Sequence, residues 1–172
     1  MSFQIETKRL RLRPFALEDA KAYFKLTKDP AIRKYVPYAC FLNIKDTRNI
    51  IKEAYSKGDL KHDFYLVIEK KSNDKIIGAL IITEDMLMNS YYNACYLIGK
   101  RYRRKGYMKE ALQGFIKNVT LPGTIIFEIM KNNYASLQLI QQIPGIKEFN
   151  LPKCCPVKKQ EVSFFSYTWN KN

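Results

Sequence analysis

Apolar positions along the chain change period several times, and each change predicts an element. Residues 8–15, KRLRLRPF, alternate strictly between charged and apolar. That is the period of a half-buried strand, and Pro14 ends it. Leu17, Ala20, Tyr23, Phe24 and Thr27 then recur at helical spacing until Asp29-Pro30 stops the helix. A second helical face carries Thr47, Ile50, Ile51 and Ala54, with Gly58 placed to end it. DFYLVIEK (63–70) and KIIGALIIT (75–83) are rich in branched and aromatic residues and flank the turn sequence KSND, which makes them a hairpin. A strand within NACYLIG ends at Gly99. After it Met108, Ala111, Leu112, Phe115, Ile116 and Val119 form the cleanest amphipathic stripe in the chain. TIIFEIM (124–130) reads as a strand, and Ser136, Leu139, Ile140 and Ile143 share a face of the helix after it. IKEF and VSFFSYTW close the chain as two strands.

The order βααβββαβαββ predicts a mixed α/β fold with a mostly antiparallel sheet and one βαβ crossover. No Pro-, Gly- or Ser-rich linker divides the 172 residues, so 1–172 is expected to form a single domain. An apolar content of 47% is enough to build a sizeable core, which excludes a disordered chain. No apolar run approaches the roughly 20 residues that span a bilayer, and MSFQIETKRLRLRPF lacks the apolar centre of a signal peptide. Cys40, Cys95, Cys154 and Cys155 form no CxxC pair, and His62 is too isolated to complete a zinc set. These readings predict a cytoplasmic protein with reduced thiols, no metal and no membrane partner. The formal charge of +14 suits an anionic partner: a phosphorylated cofactor, nucleic acid, the ribosome or an acidic protein.

One stretch concentrates that charge. In YLIGKRYRRKGYMKEAL (96–112), five of the six residues from Lys100 to Lys105 are cationic, directly ahead of the amphipathic helix. A helix N-terminus is the positive end of the peptide dipole, so cations there are unfavourable by roughly 0.3–1 kcal/mol each unless an anion sits among them. Gly106 allows close backbone approach, and the helix start offers unpaired N–H groups. Strand, glycine and helix start together form an anion cradle. A solvated basic loop is the alternative reading. GxxxxGK[ST] and GxGxxG are both absent, so a P-loop or dinucleotide mode is not expected.

Arg103-Arg104-Lys105-Gly106-Tyr107-Met108 resembles the [QR]xxGx[GA] signature of the GNAT superfamily of N-acetyltransferases. The opening ETKRLRLRPFALEDA, the strand IIGALII and the stretch EIMKNNYASLQLI are similar, in order, to the Rim-type branch that includes ribosomal-protein N-terminal acetyltransferases. Three positions depart from the pattern. Met108 replaces Gly or Ala, Arg104 stands at a usual Gly, and IPGI replaces LGF.

The resemblance implies the GNAT fold, with a central twisted sheet flanked by helices and acetyl-coenzyme A as co-substrate. It also implies transfer of acetyl to a primary amine of a protein N-terminus, a lysine or a small molecule. The backbone of Tyr96, Leu97 and Ile98 would hold the pantetheine arm where the strand splays at a bulge. Backbone N–H groups from Arg103, Arg104, Lys105, Gly106, Tyr107 and Met108 would hold the phosphates, with Asn133 of the NxxS motif as a further cofactor contact or a helix cap.

Glu128 is the candidate general base, its pKa expected to be raised by the apolar strand around it. Glu84 and Asp85 are the reserve. Ser136 or Tyr134 would serve the departing thiolate, since Ile140 occupies the position where many relatives carry Tyr. The acceptor groove is expected among residues 36–43, 86–92 and 147–159. Two rivals remain at this point: a domain that binds the cofactor without catalysis, prompted by Met108 and Ile140, and a basic RNA-binding module, prompted by the aromatics interleaved in RYRRKGYMK.

Overall fold

The computed structural model describes residues 3–40, 42–56, 63–86, 88–149 and 164–170. Gly58, His62, Cys154, Cys155 and parts of all three predicted groove loops lie outside the described residues. The sheet begins with a short strand β1 (Ile5–Glu6) that turns into β2 (Leu10–Pro14). Three helices follow: α1 (Ala20–Thr27), α2 (Pro30–Tyr35) and α3 (Ile44–Ser56). The hairpin β3 (Phe64–Lys70) and β4 (Lys75–Glu84) leads to β5 (Tyr91–Ile98). Helix α4 (Tyr107–Asn118) crosses over to β6 (Thr124–Met130). Helix α5 (Tyr134–Ile140) and strands β7 (Lys147–Phe149) and β8 (Phe164–Trp169) complete the order.

Among the described residues, eight strands form one sheet in the order β1-β2-β3-β4-β5-β6-β8-β7. Every neighbouring pair is antiparallel except β5–β6, the crossover pair joined through α4. Period-two alternation divides the sheet between two cores. Leu10, Leu12, Leu66 and Ile68 face α4, which contributes Met108, Ala111, Leu112 and Phe115, and this core extends to Leu137 and Ile140 of α5. Val67, Ala79, Cys95 and Leu97 face the opposite side, against Tyr23, Ile32 and Ile51 from α1, α2 and α3.

Two local predictions need correction. Asp29-Pro30 does end α1, but it also starts α2. Pro30 sits in the first turn, where its missing N–H costs nothing, and the Asp29 carboxylate accepts the Ala31 N–H at 2.9 Å. Ile50 is 39% exposed, whereas its α3 partners Thr47 and Ile51 are buried. Hydrophobicity alone placed it on the inner face.

The charged half of β2 is built into the sheet edge. Arg13 holds the buried Asp19 through both terminal nitrogens, at 2.7 and 3.0 Å, and its Nε donates to the buried Glu69 at 2.9 Å. Hydrogen bonding to Asp19 is the main reason its guanidinium is held more firmly charged than usual. Arg11 reaches Glu69 from the next outward position. Removing a cation from two buried carboxylates is costly because they then lack a counter-charge. Arg13→Met is expected to lower stability by about 2–3 kcal/mol, read from urea unfolding. A change below about 0.5 kcal/mol would show that Arg11, and the Ala16 N–H that donates to Asp19 at 2.6 Å, suffice without it.

Candidate active site

The site is built where β5 and β6 part. Their parallel pairing runs from Tyr91↔Thr124 to Asn93↔Ile126 and stops. On its other edge β5 stays paired with β4 as far as Gly78↔Ile98. The last five residues of β5 therefore present an edge with no strand neighbour among the described residues.

Antiparallel strands turn alternate residues toward each partner. The Gly99 N–H donates to the Ile77 carbonyl at 2.8 Å, so Leu97 and Cys95 also face β4, and Tyr96 and Ile98 turn their backbone groups into the opening. This corrects the expectation for Leu97, whose amide is spent in the sheet and whose side chain is core. It also removes the expected bulge. The β4–β5 register is unbroken, and a register shift occurs one strand away, between β3 and β4 at Ile68/Glu69.

Beyond β5 the chain makes a short turn and enters the basic loop. Arg104 adopts φ 58° and Gly106 φ 75°, both left-handed. This explains why a Gly is usual at position 104: the residue there must accept a conformation that costs most side chains roughly 1–2 kcal/mol. Gly106 caps α4 without a side-chain bond, and the Glu110 N–H makes the first backbone bond into it. The N–H groups from Arg104 to Lys109 have no partner among the described residues. Successive free N–H groups in a turn with left-handed residues are a feature of anion-binding loops.

The cations of the loop divide into two groups. Arg104 and Lys105 are exposed beside the cradle. Arg103 is not free for phosphate: it donates to Asp29 at 2.8 Å and to the Ile98 carbonyl at 3.1 Å. Arg9, from the β1–β2 turn, lies over the Tyr107 ring at 4.4 Å and donates to the Lys105 carbonyl at 3.0 Å. Glu110 holds Arg9 through both its N–H and its Nε, and also accepts from the Thr7 hydroxyl. Met108 is 5% exposed and belongs to the core, so its side chain leaves the cradle clear.

The remaining predicted residues sit around the opening. Asn133 is the N-cap of α5, with its side chain accepting the Ser136 N–H. Ser136 is half-buried in the first turn, while Tyr134 is 71% exposed. Glu128 lies two residues beyond the last β5–β6 pair, which places it level with Cys95 across the opening and on the α1–α3 face. It is exposed, whereas the sequence predicts a carboxylate enclosed by its apolar strand. Glu84 and Asp85 lie beyond the joined end of the opening. The Glu84 N–H bonds the Asp63 carboxylate, and the Asp85 carboxylate accepts from Met88 and Asn93.

The side chain of Tyr96 was not anticipated. Its ring tilts against Phe127 at 6.4 Å, and its buried hydroxyl has no completed hydrogen bond. Burial pushes its ionisation far above the usual range, and the neighbouring Ser136 hydroxyl opposes this only in part. The sequence signal was available: a Tyr on an inward strand position has a polar tip that needs a partner.

The open backbone edge, the unspent N–H donors and the orphaned hydroxyl fit a ligand with an anionic end and an extended polar arm. A model of the acetyltransferase (GNAT) domain matches residues 9–143. The chain belongs to the GNAT acetyltransferase family. It is an N-acetyltransferase, with acetyl-coenzyme A as its co-substrate.

It is 27% identical over 156 residues to the uncharacterized N-acetyltransferase YnaD of Bacillus subtilis (strain 168), covering 88% of each chain. The fold matches a GNAT-family acetyltransferase from Bacillus anthracis with TM-score 0.76, 22% identity and coverage of 96% and 97%. It also matches RimL, a ribosomal L7/L12 alpha-N-protein acetyltransferase, with TM-score 0.79, 13% identity and coverage of 99% and 96%.

Burial raises the Glu110 pKa, but its bonds from Thr7 and Arg9 outweigh this and leave it below the ordinary 4.5. A lowered carboxylate contributes stability that is present above the unfolded value and lost as pH falls through the folded one. The stability advantage over Glu110→Gln is therefore expected to be constant above about pH 5 and to shrink below about pH 4.5. Urea unfolding across that range checks it. An advantage independent of pH would mean that the carboxylate charge does not hold the clamp.

Proposed function

We propose that this acetyltransferase acts on a primary amine of an acidic protein, foremost the α-amine of a protein N-terminus. The observation that carries the site assignment is the run of unspent N–H donors from Arg104 to Lys109 beside the open edge of β5. Those donors, with Arg104 and Lys105, hold the phosphates. The Tyr96 backbone groups and the Ile98 N–H hold the extended arm and aim its acyl end. When bound, acetyl-coenzyme A supplies the thioester carbonyl that receives the amine. The Tyr96 and Ile98 N–H groups also donate to an oxygen that gains charge, which stabilises it most in a site closed to water.

Glu128 takes the proton from the amine. Its exposure, set against it when a buried base is sought, is what an entering protein N-terminus requires. It lies on the α1–α3 face, while Tyr96 and Ser136 lie on the α4–α5 face. Base and thiol partner thus approach the opening from opposite sides, as direct attack needs. An α-amine has an ordinary pKa of about 7.7–8.0, so a base is most useful below that range. Asn133 acts by capping α5 and fixing Ser136 rather than by chemistry of its own.

The acceptor class rests on two supports. A charge of +14 attracts an acidic surface and repels a polycation. RimL, a solved structure of the same fold, is a ribosomal L7/L12 alpha-N-protein acetyltransferase. The reading without catalysis loses its first support, because Met108 is turned into the core.

Two substitutions test the reading. Gly106→Glu places a carboxylate at the cradle, in a conformation whose strain of about 1–2 kcal/mol a folded domain tolerates. It is expected to weaken acetyl-coenzyme A binding at least about 100-fold in calorimetry with an unchanged circular dichroism spectrum; equal affinity would remove the cradle. Glu128→Gln is expected to lower kcat/KM for an acidic N-terminal peptide about 10- to 100-fold at pH 6.5 and far less at pH 9. Thiol release across that range reads this directly, and parallel profiles for the two proteins would dismiss Glu128 as the base.

A further inference from the structure

Two hydroxyls, one under α5 and one in its first turn, have no hydrogen bond among the described residues. The Tyr96 oxygen is shut off from solvent and unpartnered, on a ring that leaves β5 within its unpaired stretch. The polar side chain beside it is Ser136. The Ser136 N–H is taken by Asn133, through both its carbonyl at 3.0 Å and its side-chain oxygen at 3.4 Å. That fixes the start of α5 and leaves the Ser136 Oγ free to rotate.

The direction of any bond between the two is decided by what each can find. A phenol has one proton to donate, and a serine hydroxyl can accept one hydrogen bond while donating another. The Tyr96 ring packs among apolar neighbours such as Phe127, and Ser136 Oγ is the polar group beside its hydroxyl that can accept from it. If Ser136 donated to Tyr96 instead, the phenol proton would stay buried and unpaired, the more costly arrangement. Burial also keeps the phenol neutral, so it lends a hydrogen bond and does not give up its proton.

We infer that Tyr96 is a positioning residue: its hydroxyl donates to Ser136 Oγ and thereby turns the Ser136 proton toward the sulfur of the bound coenzyme. The inference rests on the proposed lie of the acyl end along Tyr96 and Ile98. No covalent bond is made or broken by the pair. Its effect is to stabilise negative charge on sulfur, and it acts equally on the product thiol. Binding can therefore report on it without an acceptor.

The experiment uses the full chain labelled with [ζ-13C]tyrosine, with the Tyr96 resonance assigned by its absence in Tyr96→Phe. Coenzyme A is expected to move that resonance. Desulfo-coenzyme A, which lacks the sulfur, is expected to move it by less than a third as much, and Ser136→Ala to abolish the movement. In calorimetry, coenzyme A should bind about three- to tenfold tighter than desulfo-coenzyme A. That preference should be lost to the same extent in Tyr96→Phe, Ser136→Ala and the double variant. Losses that add in the double variant, or a resonance that coenzyme A leaves in place while binding, overturn the pairing and leave the site standing. Failure of coenzyme A to bind the unaltered chain overturns the site and the pairing together.

Discussion

The parting of β5 and β6 is the constraint on which everything else at the site depends. A parallel pair that stayed closed would consume the Tyr96 backbone groups and the Ile98 N–H and leave nothing for a ligand. The divergence is sustained on both sides. Strand β5 is held by seven residues of register with β4, and β6 by six with β8, so each strand is secured by the neighbour away from the opening. Unsatisfied backbone is ordinarily unfavourable in a folded protein. Here it is concentrated in one place, beside a loop whose N–H groups are also unspent.

The cations ahead of α4 look excessive only when counted along the chain. In space, Arg103 is neutralised by Asp29, and Arg9, from far earlier in sequence, is neutralised by Glu110. Glu110 lies in the first turn of α4, where a carboxylate is favoured by the helix dipole. Two of the arginines near the helix start are thus structural. Arg104 and Lys105 are left to face an anion.

Periodicity carried most of the architecture. The strand at 124–130, the β3–β4 hairpin and the α4 stripe match their predicted positions because each is long and buried on a regular face. The site was legible as a location, through the cations and Gly106. The allocation of groups within it was not. Whether Leu97 or Ile98 turns its amide outward depends on strand pairing, which no single segment specifies. The exposure of Glu128 depends on what packs over its face of β6, a property of topology. The role of Arg103 depends on Asp29, 74 residues away. The orphaned state of the Tyr96 hydroxyl depends on how α5 sits over β5.

The segment from Asp29 to Tyr35 touches both margins of the opening. Asp29 holds Arg103 beyond the end of β5, and the Tyr35 hydroxyl donates to the Asn132 carbonyl beyond the end of β6. It therefore works as a cross-brace, setting the width of the cleft before any ligand arrives. A cleft of preset width has little ordering entropy left to lose on association, so more of each contact is expressed as affinity.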